Sequence, residues 1–519
     1  MKSPDGATTS NWYDTARPPT YGPPPRTLRV DVCVVGAGIA GLTTAYLLAK
    51  EGKKVAVLDE GGVGSGQSGR TSAHLASAID DRFAEVQKIH GPQGSKLAYE
   101  SHAAAIDRIE KIVAEETIDC DFKRVDGYLF SLPTDEPDLL DRELEAAKRA
   151  GFDDAKKFDK IVLCGYETGP CLCFPRQARF QPLKYLAALA KAIEKLDGKI
   201  HGGCRVKDVR GADPEKHQPA RAQIDDGPGE VLADAIVVAT NTPAPINDWM
   251  GIYTKQASYR TYMIGATVPK GSVDDALYWD TGDPYHYVRL ESDKGRGGDF
   301  DLLLVGGEDH KTGQFPKEGA PFMSLEKWVR EKLPMVRDVT ARWSGQVQEP
   351  DDYVAFIGRA TAHAKENVFV ATGDSGMGLT HGTIAGILIT DLVMGRPNPW
   401  EKLYNPARKM SPLNKDFISE NLNVVAQYKE LVTRGDVKSV DDIASGEGAV
   451  MREGLKKVAV YRDEGGAVHK CSALCTHLGC VVEWNHIEKS WDCPCHGSRF
   501  DPNGKVLMGP AIDDLGAVE

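Results

Sequence analysis

The sequence predicts an α/β domain that is interrupted by an antiparallel sheet and followed by a small all-β domain. Three observations support this prediction: a strand–glycine turn–helix–strand pattern at residues 30–59, an aromatic, strand-like region at residues 255–310, and paired cysteine and histidine motifs after residue 470. A chain of 519 residues is too long for one hydrophobic core and therefore indicates two or three domains.

Composition narrows the classes of function. With 41% hydrophobic and 27% charged residues the chain is typical of a soluble globular protein, and its net charge of −12 argues against a nucleic-acid or anionic-membrane partner. No uninterrupted apolar segment approaches the ~20 residues that span a bilayer, and the N-terminus lacks the apolar core of a signal peptide. We therefore expect no membrane span and a cytoplasmic location.

The pattern at residues 30–59 reads VDVCVVGAGIAGLTTAYLLAKEGKKVAVLD. Gly36, Gly38 and Gly41 have the G-x-G-x-x-G spacing, in which the first permits a tight turn, the second lets the backbone approach a pyrophosphate and the third lets helix and strand pack closely. Asp59 ends the second strand and can accept hydrogen bonds from a ribose hydroxyl. The strands, the helix and the acidic terminus together indicate a Rossmann-like dinucleotide site.

Two further glycine-rich segments fit the same ligand. Residues 61–75 (GGVGSGQSGRTSAHL) could lay backbone N–H groups along a dinucleotide, although they also fit a mobile connection. Residues 368–395 run from a short strand through a glycine-rich turn into a helix, whose N-terminus near Thr380 would stabilise the anion of a reduced flavin. A purely structural turn is the alternative there.

These segments together resemble the D-amino-acid oxidase family of flavoproteins, which includes glycine oxidase, sarcosine oxidase and dimethylglycine dehydrogenase. The resemblance rests on GAGIAG, SGQSGRTSAHL, FPRQARFQPLKYL and ATGDSGMGLTHG. It implies FAD as the cofactor, with Asp59 on the adenosine ribose, the backbone around Val206 near the adenine, and a substrate cavity roofed by the antiparallel sheet. The FAD-binding residues that it implies are Gly36, Gly38, Ala40, Gly41, Asp59, Ser68, Arg70, Thr71, Val206, Gly373, Gly376, Gly378, Leu379 and Thr380.

The last seventy-odd residues carry a second pair of motifs, CTHLGC and CPCHGSRFDPNGKV. They supply two thiolates and two imidazoles, from Cys475, His477, Cys493 and His496. Thiolates suit ferric iron, and imidazoles on a second iron raise its reduction potential. The pattern resembles the Rieske 2Fe–2S module, and a zinc knuckle built from the same four ligands is the alternative. The resemblance to Rieske proteins of cytochrome bc complexes also implies a disulfide between Cys480 and Cys495.

The resulting organisation has four parts. Residues 1–27 form a proline-rich arm, which we expect to be flexible or to wrap the surface. Residues 28–400 form the α/β Rossmann-like FAD-binding domain, with the inserted antiparallel-sheet substrate domain at roughly residues 250–345. Residues 401–446 form a linker, and residues 447–519 form the small all-β Rieske domain.

The predicted function follows from the two cofactors. We expect an FAD-dependent dehydrogenase that oxidises the C–N bond of an amine or amino acid and passes electrons through the Rieske 2Fe–2S cluster to an external one-electron acceptor. The alternative is an electron-transfer protein that a partner reduces, without small-molecule turnover. On the predicted sheet an arginine could clamp a carboxylate and a tyrosine could orient an amine. The predicted catalytic residues are Tyr259, Arg260, Tyr287 and Arg289.

Overall fold

Two large sheets dominate the structure, a computed structural model that describes residues 6–225, 229–246, 251–291, 298–315, 320–360, 367–410, 415–431 and 433–518. In the first sheet, Thr27–Val35 pairs in parallel with Val55–Leu58 on one side and with Glu230–Asn241 on the other. Residues 32–35 and Val55–Leu58 are almost entirely buried, as their continuous apolar sequences require. The other described strands of this sheet are Lys199–His201, Val206–Arg210, Ala220–Ile224, Phe356–Arg359 and Val368–Thr372.

The second sheet is mostly antiparallel and is built from two separate segments of the chain. Its later strands are Gln256–Pro269, Leu277–Asp280, His286–Glu291, Phe300–Lys311 and Val339–Pro350. Its earlier strands are His74–Leu75, Lys123–Phe130, Lys156–Phe158 and Cys171–Arg179. A parallel pairing of Leu277–Asp280 with Lys123–Phe130 joins the two halves. The later strands of this sheet lie at the place of the predicted insertion, whereas the earlier strands come from before it. A separate small hairpin consists of Val162–Leu163 and Tyr166–Glu167.

Two helices carry the glycine motifs and pack tightly against each other. A Cβ at Gly382 would lie 2.6 Å from Cγ2 of Ile39, and a Cβ at Gly386 would lie 2.5 Å from Cγ2 of Thr43. This close packing of Ile39–Lys50 on Gly378–Val393 brings the first turns of both helices to one cavity. The other described helices are Trp12–Thr15, Phe83–Glu115 with an interruption at Gly91, Leu139–Arg149, Pro182–Lys195, Pro321–Lys332, Glu401–Tyr404 and Lys415–Gln427. None of these described helices combines the length and apolar character that a membrane-spanning helix needs.

The described part of the N-terminal arm is anchored at residues 10–12 and 16, which are buried, whereas residues 17–27 are half-buried or exposed. Trp12 has no exposed surface, and its indole Nε1 donates to the backbone oxygen of Thr71 at 2.8 Å. The Ser10 hydroxyl donates to the backbone oxygen of Gly69 at 2.5 Å. The proline-rich composition predicts an extended chain, but the large apolar surface of Trp12 favours burial.

The C-terminal part is all-β, as the sequence predicts. One antiparallel sheet contains Glu447–Glu453, Lys456–Arg462 and Val468–Ser472. A second contains Glu483–Asn485, Ser490–Asp492, Arg499–Phe500 and Val506–Met508. The cysteine and histidine motifs lie in two loops between these strands.

Candidate active site and cluster centre

The glycine turn after the first strand has the shape that a dinucleotide site requires. Gly36 has a φ of +110°, and a Cβ there would lie 2.3 Å from the backbone oxygen of Ala239. A Cβ at Gly41 would lie 1.9 Å from the backbone oxygen of Gly36, so both positions need glycine to form the turn. A Cβ at Gly38 would meet just one side chain, with Ser68 Oγ 3.0 Å away. Gly38 therefore leaves space before the helix N-terminus, where a phosphate is stabilised.

Asp59 lies beside this turn, at the end of the second strand. Its Oδ2 accepts from the backbone N–H of Ala37 at 2.7 Å, and its Oδ1 accepts from those of Gly61 and Gly62 at 2.8 and 2.6 Å. Burial raises the pKa of Asp59, and these backbone N–H groups oppose that rise. A carboxylate offers about four acceptor positions, so Oδ2 can still accept from a hydroxyl.

One long cavity extends from this turn to the second sheet. Its volume is about 330 Å³, within the range of small-molecule and cofactor sites. Gly41 and Gly373 do not line it: Gly41 packs on Gly36, and a Cβ at Gly373 would lie 2.8 Å from Cγ of Pro350. The predicted cofactor residues that do line it are Gly36, Gly38, Ala40, Asp59, Ser68, Arg70, Thr71, Val206, Gly376, Gly378, Leu379 and Thr380.

The C-terminal motifs converge in two facing loops. The side chains of Cys475 and Cys493 lie next to each other, and the ring centroids of His477 and His496 are 5.0 Å apart. Cys475 and Cys493 are almost completely buried. Two thiols and two imidazoles from two loops are the donor set of a Rieske cluster, in which one iron has sulfur ligands and the other has nitrogen ligands.

A disulfide joins these loops. It connects Cys480 to Cys495, the pair that the resemblance implied, with their Cα atoms 6.4 Å apart. The sulfur atoms of Cys480, Cys493 and Cys495 all lie within 4.8 Å of one another. Because disulfide sulfurs are not thiolates, Cys493 is the member of this trio that can bind iron.

Comparison with known proteins assigns both parts of the chain. The FAD dependent oxidoreductase (DAO) family matches residues 31–392. The chain belongs to the DAO family. The Rieske [2Fe-2S] domain matches residues 433–519. This DAO-family chain is therefore an oxidoreductase with FAD and a Rieske 2Fe–2S cluster as its cofactors.

Relatives of the DAO-family chain share its architecture or its fold. YhfW of Bacillus subtilis, named as a Rieske 2Fe-2S iron-sulfur protein, is 31% identical over 512 residues, which cover 98% of this chain and 97% of YhfW. Glycine oxidase from Geobacillus kaustophilus has a TM-score of 0.59 at 18% identity, covering 74% of this chain and 100% of that one. L-amino acid deaminase from Proteus vulgaris, solved with a deletion of its specific insertion sequence, has a TM-score of 0.59 at 16% identity, covering 78% of this chain and 100% of that one. These two structures show that the fold is that of DAO-family flavoenzymes.

The FAD cavity and the cluster loops share a wall. Gln346 lines the cavity, and its Nε2 donates to the backbone oxygen of Gly497 at 2.9 Å, next to His496. Ser258 on the neighbouring strand donates to the backbone oxygen of His496 at 3.2 Å. The ring of Tyr253 lies 4.8 Å from that of His477 and 5.0 Å from that of His496. The imidazoles therefore pack against the oxidoreductase domain.

Of the four predicted catalytic residues, Tyr287 is the one that lines the cavity. Its hydroxyl is 2.7 Å from that of Thr261. Tyr259 lies on the same strand as Thr261, and its hydroxyl donates to Oε1 of Glu420 at 3.2 Å. Arg289 is buried and donates to the backbone oxygens of Ala73 and Phe180, at 3.0 and 3.2 Å. Tyr259 and Arg289 therefore make contacts within the protein and do not line the cavity, which corrects the prediction that they contact the substrate.

Arg260 and Arg70 meet in a buried junction with the Rieske domain. Glu488 lies 3.2 Å from Nη2 of Arg260 and 3.3 Å from Nη1 of Arg70, and all three side chains are at most 1% exposed. Burial favours a raised pKa for Glu488, but the guanidinium groups of Arg70, Arg260 and Arg499 outweigh it and lower the pKa to about 2. Arg260 is thus not a substrate residue. Arg70 lines the cavity, and its guanidinium is paired with Glu488.

Several polar and aromatic residues in the cavity were not predicted. They come from separate segments of the chain, and a single aspartate among 75 acidic residues gives no local signal. Their proximity arises because distant strands meet in the second sheet. These residues are Asp80, Thr261, Trp279 and Asp309.

Proposed function

We propose that this chain is a dehydrogenase that oxidises the C–N bond of an amine or amino acid. Electrons then leave FAD singly, through the Rieske cluster, to an external one-electron acceptor. The observation that carries this proposal is the position of Gln346. Its side chain lines the FAD cavity and also donates a hydrogen bond to the loop that contains His496. The two cofactor sites therefore share a wall of the protein.

The cofactors would accept the hydride and the electrons, and the side chains would bind and orient the substrate and the cofactor. Bound FAD supplies a hydride acceptor, and a Rieske cluster supplies a one-electron carrier. The substrate ammonium releases one proton to water, and the neutral amine then loses a hydride from the adjacent carbon to that acceptor. Water hydrolyses the resulting iminium ion to a carbonyl compound and an ammonium ion. The hydroxyl of Tyr287, held by Thr261, orients the amine in the cavity. Asp59 and the first turns of the two glycine-motif helices hold the cofactor.

Relatives of known structure support the substrate class. Glycine oxidase and L-amino acid deaminase have names that describe reactions of amino acids, and both have the fold of the oxidoreductase domain. Residues that can orient an amine are present in the cavity of this chain, as the hydroxyls of Tyr287 and Thr261. An amine or amino acid is therefore the substrate class that we propose.

An anaerobic screen of amines and amino acids tests this function. A substrate should bleach the flavin of the purified protein and then the cluster, without any protein partner. Tyr287→Phe should weaken the reaction with that substrate while FAD content stays unchanged. If no amine or amino acid bleaches the flavin, but a reduced protein partner does, the chain is an electron-transfer protein without substrate turnover.

A further inference from the structure

Two carboxyl groups line the cavity beside the second sheet. Asp80 and Asp309 both line it, and they are close enough that the charge of Asp80 raises the pKa of Asp309. A Cβ at Gly376 would lie 2.2 Å from Oδ2 of Asp80. This carboxylate therefore packs on the glycine-rich turn that borders the flavin site.

Asp309 has an acceptor atom without a donor. Its Oδ1 is buried and has no hydrogen-bond partner among the residues that the structure describes. Oδ2 of Asp80, in contrast, accepts from the hydroxyl of Tyr285 at 3.1 Å. A buried carboxylate oxygen without a donor is costly, and an N–H group of a ligand in the cavity can supply the missing hydrogen bond.

In the part of the chain that the structure describes, the cavity offers no cation to a substrate carboxylate. Among the described residues, the arginines that line it are Arg70, which is paired with Glu488, and Arg205, which donates to the backbone oxygen of Ile512 near Val206. No described lysine lines it. His74 and His381 line it too, but burial lowers their pKa values to about 3 and about 4, so both are neutral at pH 7.

Acidic side chains line the cavity instead, and burial disfavours their charged forms. Burial raises the pKa of Asp80 to about 6, against the opposing effects of Tyr285 and Arg82. Burial, together with the charge of Asp80, raises the pKa of Asp309 to about 7. Burial also raises the pKa of Asp374, another lining residue, to about 6. A bound cation favours the charged form of these carboxyl groups, whereas a bound anion disfavours it further.

Aromatic rings complete the site. The rings of Tyr285 and Tyr287 are 5.4 Å apart and inclined at 40°. Trp279 lines the same cavity and stacks on Phe174 at 6.1 Å. Ammonium groups are attracted to the faces of such rings, most strongly where water is excluded.

We infer that the substrate is a cationic amine without a carboxylate next to its nitrogen, with its ammonium held between Asp80 and Asp309 and against Tyr285 and Tyr287. This inference rests on the proposed function and narrows it from amines and amino acids to amines. An amino acid would place its carboxylate near two aspartates, and the described lining residues offer it no counter-charge.

Matched pairs of ligands that differ by one carboxylate test the inference on the complete, FAD-loaded protein. The pairs are putrescine and ornithine, cadaverine and lysine, and phenethylamine and phenylalanine. Affinity is measured from the dose-dependent rise in unfolding temperature, and reaction is measured from anaerobic flavin bleaching. In at least one pair, the amine should bind at least about tenfold more tightly than the amino acid and should bleach the flavin.

Two variants locate the ammonium site. Asp309→Asn should raise the Kd of that amine at least about tenfold, because it removes the charge but preserves the shape. Glu308→Gln is the matched control, since Glu308 is the neighbouring acid on the same strand, pairs with His286 at 3.3 Å and does not line the cavity. The control should change the Kd by less than about twofold.

The outcomes separate this inference from the proposed function. An amine that binds tightly and depends on Asp309, yet does not bleach the flavin, supports the ammonium site and contradicts the dehydrogenase. An amino acid that binds more tightly than its amine, bleaches the flavin and is unaffected by Asp309→Asn contradicts the inference and supports the dehydrogenase. Absence of binding by every member of the pairs contradicts both.

Discussion

Gln346 donates a hydrogen bond from its side-chain Nε2 to the backbone oxygen of Gly497, 2.9 Å away in the Rieske domain. Gln346→Leu leaves that oxygen without this donor, so we expect the domain interface to lose about 1–3 kcal/mol of stability. Cluster reduction should slow more than flavin reduction, because the change lies between the two sites. Stopped-flow spectra of both cofactors measure the two rates, and a wild-type rate of cluster reduction would show that this contact is dispensable.

The junction at Glu488 should make the interface sensitive to acid. The folded-state pKa of about 2 lies below the ordinary value of 4.5. The ion pairs with Arg70 and Arg260 therefore contribute stability above about pH 4.5, and this contribution is lost as the pH falls towards 2. The full shift corresponds to about 3 kcal/mol, of which about 2 kcal/mol should be lost between pH 7 and pH 3, as denaturant unfolding at these two pH values measures.

Neutralising the same carboxylate gives a second, independent check. Glu488→Gln leaves two buried guanidinium groups without their anion, so it should cost about 3–5 kcal/mol of unfolding free energy at pH 7. Glu447→Gln is the matched control, because Glu447 forms a partly exposed ion pair with Lys489 at 2.6 Å. The control should cost about 0–1 kcal/mol. Equal losses in the two variants would contradict a special role for the junction.

Gly38 should be required for FAD and not for the fold. A side chain at Gly38 would contact Ser68 and fill the space before the helix N-terminus. Side chains at Gly36 and Gly41 would instead collide with backbone atoms. Gly38→Val should therefore abolish FAD retention and leave the iron content unchanged. The measurement is flavin absorbance and iron per polypeptide, with Gly22→Val as control because Gly22 is exposed and has no atom within 4 Å of its Cβ position. A full flavin spectrum in Gly38→Val would contradict the assignment.

The disulfide should protect the cluster loops without being needed for assembly. It closes a span of 15 residues, so the chain-entropy estimate of its contribution is about 3 kcal/mol. Cys480→Ser should keep all four iron ligands, bind the cluster and lose it faster in denaturant, with a lower cluster potential. Cys471→Ala, which removes a buried free cysteine of the same domain, is the control. Mass spectrometry of the native protein with Cys480 and Cys495 as free thiols would contradict this prediction.

The cofactor sites could be predicted from the sequence because their determinants are local. Gly36, Gly38 and Asp59 belong to one strand–helix–strand unit, whose spacing alone fixes the geometry of the turn. Cys475 and His496 likewise lie in two short loops that one small domain brings together. In both cases the residues that specify the local fold are also those that we expect to contact the cofactor.

The substrate end of the cavity could not be predicted in the same way. Arg260 and Thr261 are neighbours on one strand, so their side chains point to opposite faces, and the sequence does not say which face meets the cavity. The partner of Arg260 is Glu488, from the other domain. Asp80 and Asp309 come to the same cavity through tertiary packing of distant segments, which leaves no spacing to recognise in the sequence.

The order of electron transfer tests the central claim most directly. Anaerobic stopped-flow should show the substrate bleaching the flavin first and the Rieske absorbance second in the native protein. His496→Cys exchanges an imidazole for a thiolate, so the cluster potential should fall towards the ~−400 mV of all-cysteine plant-type ferredoxins. In that variant the flavin should still be bleached and should remain reduced, and turnover with an artificial one-electron acceptor should fall. Wild-type turnover by a variant whose cluster potential is shown to be lowered would contradict the claim that electrons leave through the cluster.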